Sequence, residues 1–429
     1  MKKETFIRST IILIIGGFIT KILGMIIKVI TTRLIGLEGM ALYMLVFPTL
    51  SLFMAISQFS LPTSISKLVS EERYNNKNLV FSSLPIIFIS TFILILVLIF
   101  SSRFIANNLL KDGRCYLPIL AIILVLPFEA ISNMLRGYMF GKQKMFPHVV
   151  SHIIEQISRL ILTVIFIPKL VNYNLVYAVT FLVLVNLVSE FISIIVILMF
   201  MPKNIVIHKE DIIPTKKSIK SILDISIPNT STRVIGNIGY FLEPVVLTAG
   251  MIASGYSISY ITMEYGIVSG YSMPMLLLPG FFTGAISSSL IPVVSKAYVN
   301  NNYKYIKKKI KQALILSLSI GIPSTMILFL FPNFFLKLLY GINVGGNYMK
   351  VLSLPFLLYY IELPLSAILQ SLNKAKEVMY DNILGIVIKT ILLYLTSLLH
   401  IGIYSFIIAC SINIIIVTTM HFIHIRKII

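Results

Sequence analysis

The first apolar stretch of the chain, residues 9–30 ("STIILIIGGFITKILGMIIKVI"), decides the fold because it is long enough to cross a bilayer as one helix. Similar stretches recur to the end of the 429-residue chain, which is 57% hydrophobic and only 12% charged. Its mean hydropathy is +0.93. The alternation of polar and apolar residues that is typical of strands is not sustained anywhere. The sequence therefore predicts an all-α polytopic membrane protein.

Hydropathy predicts about twelve transmembrane helices in this chain. Their predicted bounds are 9–30, 39–61, 79–101, 116–136, 148–168, 174–200, 222–249, 264–290, 312–331, 347–371, 378–399 and 401–424. The longest polar break, residues 201–221, follows the sixth predicted helix. We therefore expect two six-helix lobes, residues 1–200 and 222–429, joined by a cytoplasmic connector over 201–221.

Positive charge is concentrated in alternate loops and at both ends of the chain. The chain carries 36 Lys and Arg residues against 16 Asp and Glu, and Arg136, Lys142 and Lys144 form the group after the fourth helix. The positive-inside rule then places these loops and both termini in the cytoplasm of a protein of the inner cell membrane. The same rule accounts for the net charge of +20 without nucleic acid as a partner. We expect the first span to be retained, since no cleavage site follows it.

Four short segments of the two halves match in the same order. The pairs are 18–24 ("FITKILG") with 230–236 ("TSTRVIG"), 45–50 ("LVFPTL") with 276–281 ("LLLPGF"), 61–76 with 291–303, and 140–146 ("FGKQKMF") with 372–378 ("LNKAKEV"). They align Lys21 with Arg233, Gly24 with Gly236, and Pro48 with Pro279. Because each half has an even number of spans, both copies enter the membrane from the same side, which predicts a parallel repeat.

Cations within the first span are the clearest candidates for function. Lys21 lies near the middle of this span, and Lys28 is seven residues further on, close to the same helical face. Gly24 lies between them and leaves space beside both side chains. A charge at the bilayer centre is costly and marks a functional site by default. The pattern predicts a cationic stripe for an anionic group such as a phosphate. The sequence leaves open whether Lys28 belongs to this stripe or snorkels to the outer interface, and Arg33 is interpreted as an interface anchor.

Further charges occur inside the later predicted spans. They are Glu129, Glu155, Arg159, Glu190, Arg233, Glu243, Glu362 and Lys389. Glu155 and Arg159 are four residues apart, and a local ion pair is the simplest account of both. Lys389 corresponds to Arg159 in the second half, and the sequence leaves open whether it faces a cavity or pairs with Glu362 or Glu129. The acids Glu129, Glu155, Glu243 and Glu362 are candidates for ion coupling or charge pairing.

The eighth predicted span is rich in glycine and proline. It contains Gly266, Gly270, Gly280 and Gly284, with Pro274 and Pro279 between them. Small residues allow close helix approach, and prolines favour bending. This span is predicted to be a hinge or a site of close packing, and the same is predicted for Pro48 and for the paired glycines Gly24 and Gly236.

Signatures of enzymes are absent from the sequence. There is no phosphate-binding loop, no H-E-x-x-H motif and no dinucleotide fingerprint. The pairs His148/His152 and His421/His424 fall near predicted span ends and are interpreted as interfacial polar residues. Cys115 and Cys410 lie in different settings and indicate no disulfide framework. No catalytic residue, metal or cofactor is predicted.

The sequence also resembles a known family. Residues 6–53, continued by "LPTSISKLVSEE" (61–72), and "RGYMFGKQKMFPHVVSHIIEQISRL" (136–160) are similar to the stage V sporulation protein B family. That family belongs with the lipid II flippases and polysaccharide exporters. The resemblance implies a MATE-like fold, with two six-helix lobes in a V around a central cavity.

The resemblance also carries residue roles. The related lipid II flippases have an essential arginine in an S-R-x-x-G-like turn of the first span, and "TKILG" (20–24) places Lys21 and Gly24 on that motif. A further arginine of those proteins is not matched in register, since Ile27 stands there with Lys28 beside it. The two further C-terminal helices that form a lipid-tail groove in those flippases are not among the predicted spans.

Three functions remain open from the sequence. The first is a flippase that moves a lipid-linked sugar, such as a lipid II-like peptidoglycan precursor for the spore cortex, by alternating access. Its pyrophosphate would bind Lys21 and Arg233, with Lys28 and Lys389 as further candidates. The second is a cation-coupled multidrug or solute antiporter of the same fold. The third is a membrane scaffold for cell-wall assembly. Expected partners are a polyprenyl-pyrophosphate-linked sugar, membrane lipids and cell-wall synthesis proteins.

Overall fold

Helices make up nearly all of the chain in a computed structural model, which describes residues 3–71, 75–201 and 209–428 and contains no strand among them. The chain divides into two compact units, Met1–Phe241 and Leu242–Ile429. The boundary falls within one long helix, later along the chain than the predicted connector over 201–221. The predicted division into lobes of residues 1–200 and 222–429 therefore stays a prediction.

The first unit is built from helices α1 to α7 and most of α8. Their bounds are α1 (Lys3–Ser57), α2 (Leu61–Ser70), α3 (Asn76–Phe104), α4 (Tyr116–Gly141), α5 (Met145–Tyr173), α6 (Leu175–Met199), α7 (Lys209–Ile212) and α8 (Lys216–Ala253). A π-helical turn (Ile105–Leu109) and a 3₁₀ turn (Gly113–Cys115) connect α3 to α4.

The second unit contains the end of α8 and eight further helices. They are α9 (Ile258–Ile267), α10 (Met273–Leu277), α11 (Gly280–Val299), α12 (Tyr303–Leu330), α13 (Pro332–Tyr340), α14 (Gly346–Ser371), α15 (Ala375–Ser397) and α16 (Tyr404–Ile428). A π-helical turn (Val268–Ser272) joins α9 to α10. The short helix α13 was not expected from hydropathy.

The membrane-spanning character of the chain is clear from its helices. Among the described residues, 10 helices are long and apolar enough to cross a membrane, or 11 if a bent pair counts as one span. One of these segments, Ile15–Ser70, has 56 residues, although a span needs only about 20. It covers the first two predicted spans, and α1 kinks between them at Gly36, where φ is 68° and ψ is −173°. When this segment is counted as two spans divided at the kink, the 11 spans become the twelve that were predicted.

The two units repeat the same packing. In the first unit α4 packs against α2, α3 and α6, and α5 packs against α6. In the second unit α14 packs against α11, α12 and α16, and α15 packs against α16. Each unit therefore places its fourth span at the centre of the same set of neighbours, as expected of the internal repeat.

A matching turn fixes the register of this repeat. Gln143 (φ 59°) follows α4, and Asn373 (φ 60°) follows α14, so both turns use one left-handed residue. Lys144 and Lys374 come next, and each donates its backbone N–H to a carbonyl near the end of the preceding helix. The sequence alignment that paired Lys142 with Lys374 is therefore wrong by two residues, because the backbone turn, not the lysine spacing, sets the register.

Two glycines of α4 bring α2 against it. A Cβ atom on Gly137 would lie 2.6 Å from the carbonyl oxygen of Pro62, and one on Gly141 would lie 2.7 Å from that of Ser66. Neither position has room for a side chain. This small-x-x-x-small spacing lets the two backbones approach closely, as in other membrane helix pairs.

The eighth predicted span is broken, as its prolines indicated. Pro274 lies in the first turn of α10, directly after the π-helical turn, and Pro279 precedes α11. The chain bends by 51° between the segments Ile258–Leu277 and Gly280–Val299. Gly280 is close to the ring of Tyr359, where a Cβ would lie 3.1 Å from Cε1.

The other predicted hinge and packing residues behave differently. Pro48 is buried inside α1, in the segment that follows the kink. A Cβ on Gly24 or Gly236 would meet no heavy atom of the described residues within 4 Å. These two glycines leave open space beside their helices and do not mark a close helix contact.

Candidate functional site

A polar cavity of about 430 Å³ lies within the first unit, between α1, α4, α5, α6 and α8. Its lining includes six charged side chains, which are Glu129, Arg136, Glu155, Arg159, Glu190 and Arg233. Three are acids and three are arginines, so their formal charges cancel. The sequence predicted cations for anion binding and named Glu129 and Glu155 as acids for ion coupling or charge pairing. The structure brings both acids to this cavity with Arg233, and α6 adds Glu190.

Arg136 is the centre of a buried ion-pair network. Its Nη2 atom lies 2.7 Å from Glu155 Oε2 and 3.1 Å from Glu190 Oε2, and it donates to Ser193 Oγ at 2.7 Å. Ser132 donates a further hydrogen bond to Glu190. Arg136 is only 3% exposed. Buried charges are tolerated when they are paired in this way, so the network ties α4, α5 and α6 together.

Arg136 was predicted to lie at the cytoplasmic end of the fourth span, and its buried position in α4 corrects this prediction. The fourth predicted span ended at residue 136, whereas α4 continues to Gly141. The charge of Arg136 suggested a helix end, but its acidic partners come from neighbouring helices that a local pattern does not reveal. The pair Gly137 and Gly141 was a signal for continued helix packing that the sequence analysis did not use.

The predicted ion pair between Glu155 and Arg159 is confirmed. Arg159 Nη2 lies 2.7 Å from Glu155 Oε1, one turn along α5. His152 Nδ1 lies 3.3 Å from Glu155 Oε2. Because Arg136 binds the same carboxylate, Glu155 accepts hydrogen bonds from two arginines, one on α4 and one on α5. The local pair is therefore one part of a larger network.

A second chain of hydrogen bonds connects Arg233 to Glu129. Arg233 Nη2 donates to Gln58 Oε1 at 2.7 Å, and Gln58 Nε2 donates to Glu129 Oε1 at 2.6 Å. Asn133 also donates to Glu129 Oε1, at 2.8 Å. Gln58 follows the end of α1 and was not predicted as a site residue. The amide of Gln58 lies between the arginine and the acid, so Glu129 does not form an ion pair with Arg233.

A smaller cavity of about 220 Å³ adjoins the first one and is lined by Gly24 and Lys28. Phe47, Arg159 and Asn186 line both cavities. Lys28 Nζ contacts the Sδ atom of Met44 at 3.8 Å. The predicted face of the first span therefore turns Gly24 and Lys28 toward open space that also reaches Arg159.

Lys21 lies on the same face of α1, and its side chain is exposed. Arg33 is exposed as well, further along α1. In the second unit, Glu362 is half-buried in α14.

Lys389 forms an ion pair within the second unit. Its Nζ lies 2.5 Å from Glu243 Oε1, with both side chains largely buried, and 5.6 Å from the centroid of the Phe406 ring. The sequence left the setting of Lys389 open between a cavity, Glu362 and Glu129. The structure pairs it instead with Glu243, which was itself a candidate for charge pairing. The acid comes from α8, whose distance along the chain hid the contact.

The histidine pairs hold no metal-binding cluster. Within residues 3–71, 75–201 and 209–428, no group of three or more His, Cys, Asp or Glu side chains has the geometry for a metal ion. His148 and His152 pack edge to face with ring centroids 5.1 Å apart. His421 and His424 lie 3.7 and 3.6 Å from the buried Asp381, an arrangement that the sequence analysis did not foresee.

Comparison with protein families and characterised sequences places these features among membrane transporters. The family model described as "Polysaccharide biosynthesis protein" matches residues 6–298, and the MatE family model matches residues 246–395. The chain is 34% identical to stage V sporulation protein B of Bacillus subtilis (strain 168), over 98% of this chain and 83% of that protein. It is 24% identical to the lipid II flippase MurJ of the same organism, over 90% of this chain and 76% of that protein.

Solved structures show the same fold. An inward-facing multidrug resistance MATE family transporter of the MOP superfamily superposes with a TM-score of 0.74 at 15% identity, covering 95% of this chain and 94% of that one. The inward closed conformation of the lipid II flippase MurJ also gives a TM-score of 0.74, at 16% identity, with 97% and 87% covered. The MATE-like fold predicted from the sequence is confirmed.

Proposed function

The chain belongs to the polysaccharide biosynthesis protein family, together with stage V sporulation protein B, and from this premise we propose that it flips a lipid-linked sugar across the cytoplasmic membrane. The sugar would be a peptidoglycan precursor such as lipid II, used for the spore cortex. The relative named as a lipid II flippase supports this substrate class. The mechanism would be alternating access, with the polar head crossing through protein while the lipid tail stays in the bilayer.

The guanidinium of Arg233 is the observation that carries this proposal. It lines the polar cavity and is oriented by an amide, Gln58, at 2.7 Å. Among the described residues, no carboxylate lies within salt-bridge distance of it. A guanidinium placed in this way can donate two parallel hydrogen bonds to the oxygens of a phosphate. Arg233 therefore supports recognition of the pyrophosphate that links the sugar to its lipid.

The first span would supply the remaining positive charge. Lys28 lines the adjoining cavity with Arg159, and Lys21 is exposed on the same helical face. In the proposal, the pyrophosphate enters from the cytoplasmic side and binds Arg233 and Lys21, with Lys28 as a further contact. Lys389 has no place in this anion site, because Glu243 already neutralises it at 2.5 Å.

A second candidate function is cation-coupled antiport of a drug or small solute. One observation favours it: Glu129 is 4% exposed, and its Oε2 atom has no hydrogen-bond partner among the described residues. A buried carboxylate oxygen of this kind can take up a proton or a sodium ion. A drug-efflux assay in a hypersensitive host separates the two functions, since an antiporter confers resistance that Glu129→Gln abolishes and a lipid flippase confers none.

The experiment that tests the flippase is reconstitution of the full chain in liposomes with fluorescent lipid II. We expect flipping of lipid II, and none of a polyprenyl alcohol that carries neither pyrophosphate nor sugar. Lys21→Ala should slow flipping by about tenfold or more, because a charge-assisted contact is lost. Absence of flipping by the native chain would contradict the proposal. Normal cortex synthesis in cells with uncharged residues at both Lys21 and Arg233 would favour a scaffold.

The orientation can be tested separately by cysteine labelling. We propose that both termini are cytoplasmic, because the lysine-rich loops follow the even-numbered spans. Cys115 and Cys410 are both buried, so the native chain should give low background with a membrane-impermeant thiol reagent. A cysteine at Lys304 should react only after the membrane is permeabilised, whereas one at Asn343 should react in intact cells. The reverse result would overturn the orientation.

A further inference from the structure

A second polar pocket lies within the second unit, far along the helices from its lysine-rich loops. It has a volume of about 340 Å³ and lies beside the starts of α14 and α16. At the opposite ends of these two helices, Lys374 lies in the turn after α14 and Arg426 lies in the last turn of α16. The positive-inside rule assigns those basic ends to the cytoplasm, so the pocket opens on the outer side of the membrane.

The loop that forms one wall has a fixed shape. Residues 341–346 ("GINVGG") use glycine at two left-handed positions, Gly341 (φ 75°) and Gly345 (φ 89°). Ser272 Oγ donates to the carbonyl oxygen of Gly345 at 3.1 Å and fastens the loop to the π-helical turn. A side chain at Gly345 would meet Ile267 and Ser272 at 2.8 and 3.0 Å. The pocket is therefore preformed and does not depend on a ligand to order its wall.

Three asparagine residues contribute polar side chains to the lining of this pocket. Asn333, Asn343 and Asn347 all line it and are all exposed. Across from them, Glu264 is held by the hydroxyl of Tyr348, which donates to its Oε2 at 2.6 Å. Amides offer a donor and an acceptor side by side, and a carboxylate accepts two hydrogen bonds. Such a set matches the adjacent hydroxyl groups of a sugar ring.

Two tyrosine rings complete the lining. Tyr348 and Tyr404 pack edge to face, with centroids 5.5 Å apart at 77°, and Tyr404 is 38% exposed. The flat apolar face of a sugar ring can pack on such an exposed aromatic ring. The volume of about 340 Å³ falls in the range of roughly 300–1,000 Å³ that is usual for small-molecule sites.

The charge of the pocket argues against a phosphate ligand. Among the described residues that line it, Glu264 is the one that carries a charge. An anion would be repelled there, whereas an uncharged sugar would find donors, acceptors and an aromatic face. This contrasts with the cavity of the first unit, where the guanidinium of Arg233 is bound by an amide and not by a carboxylate.

We propose that this outer pocket binds the sugar ring of the translocated substrate, an N-acetylated hexose in the case of a peptidoglycan precursor. The proposal rests on the proposed function for the identity of the ligand, but the pocket itself is independent of the arginine cavity. It would receive the head group after crossing, while the pyrophosphate is held elsewhere.

The test is saturation-transfer NMR with the full chain in lipid nanodiscs and free N-acetylglucosamine as the probe. We expect transfer to the sugar from the native chain, reduced about fivefold or more by Tyr404→Ala and by Asn347→Ala, each of which removes one contact. Tyr404→Phe keeps the ring and should keep most of the signal. Tyr305→Ala is the matched control, since Tyr305 is 40% exposed and lies at the lysine-rich end.

Two outcomes would overturn the sugar site. One is the absence of transfer from the native chain, and the other is an equal signal from native chain, Tyr404→Ala and Asn347→Ala. Competition by inorganic pyrophosphate would also contradict it, because it would show an anion site. If the chain flips lipid II but binds no sugar, only the pocket proposal fails. If it binds sugar at this pocket but flips no lipid, only the proposed function fails.

Discussion

The two units share a backbone plan but treat the buried charge of their fifth span differently. With the register set by the turns at Gln143 and Asn373, Arg159 of α5 corresponds to Lys389 of α15. In the first unit the partner acid, Glu155, lies on the same helix and is shared with Arg136. In the second unit, Glu243 comes from α8.

The positions around these cations explain the difference. In this register, the second unit has Gly385 at the position equivalent to Glu155 and Ser366 at the position equivalent to Arg136. The second unit has therefore kept the cation and lost both of its neighbours, so a different helix neutralises it. The two units of this chain share helix packing but differ in their charge pairs, and the polar cavity with three arginines belongs to the first unit.

The largest effect is expected from Arg136→Ala. This change leaves Glu155 and Glu190 buried without their shared cation, which should lower the free energy of unfolding by about 3–5 kcal/mol. Thermal unfolding of the purified chain, followed by circular dichroism, measures it. Arg103→Ala is the control. Arg103 is exposed at the end of α3, where its guanidinium lies over the ring of Tyr116. An equal midpoint for Arg136→Ala and Arg103→Ala would contradict the network.

A leucine at Gly137 should have the next largest effect. The side chain would enter the backbone of α2, where a Cβ alone lies 2.6 Å from the carbonyl oxygen of Pro62. We expect a loss of about 1–3 kcal/mol or a failure of the unit to fold. Gly236→Leu is the matched change, because a Cβ there meets nothing within 4 Å. The two variants should differ clearly in yield and in thermal midpoint. Similar values would contradict a close contact between α2 and α4.

A smaller loss is expected when the pair of the second unit is broken. Glu243→Gln leaves Lys389 largely buried beside a neutral amide, which should cost about 1–3 kcal/mol. Lys389→Met in the same chain removes the unpaired charge and should restore most of the stability. A double variant as unstable as Glu243→Gln alone would show that the two side chains do not act as a pair.

The smallest effect concerns the turns that define the register. Gln143 adopts a left-handed conformation that glycine tolerates better, so Gln143→Gly should stabilise the chain by about 0.5–1 kcal/mol. Asn373→Gly should have less effect, because asparagine already tolerates this conformation. Chemical denaturation of both variants measures the difference. A destabilised Gln143→Gly variant would contradict a left-handed backbone conformation at Gln143.

Much of the fold was accessible from the sequence because membrane helices are set by local composition. The predicted spans, the break near Gly36 and the bend at Pro279 follow from apolar length and from the backbone properties of glycine and proline. The Glu155–Arg159 pair was predictable because both residues lie on one helix.

The rest of the site depends on contacts between helices. Arg136 was predicted at a cytoplasmic helix end because a cation near a span end usually reports topology, and only its neighbours on α5 and α6 reveal its burial. Gln58 carried no signal at all, since an amide gains its role from the arginine and the acid that it joins. The partner of Lys389 was hidden for the same reason.

The central claim is that the first unit, and Arg233 in particular, holds the anionic group of a lipid-linked sugar. The most direct measurement compares lipid II flipping in liposomes by the native chain, by Arg233→Ala and by the double variant Glu243→Gln/Lys389→Met. The account predicts at least about a tenfold loss of rate for Arg233→Ala, with nearly native rates for the double variant. Native flipping by Arg233→Ala would contradict it.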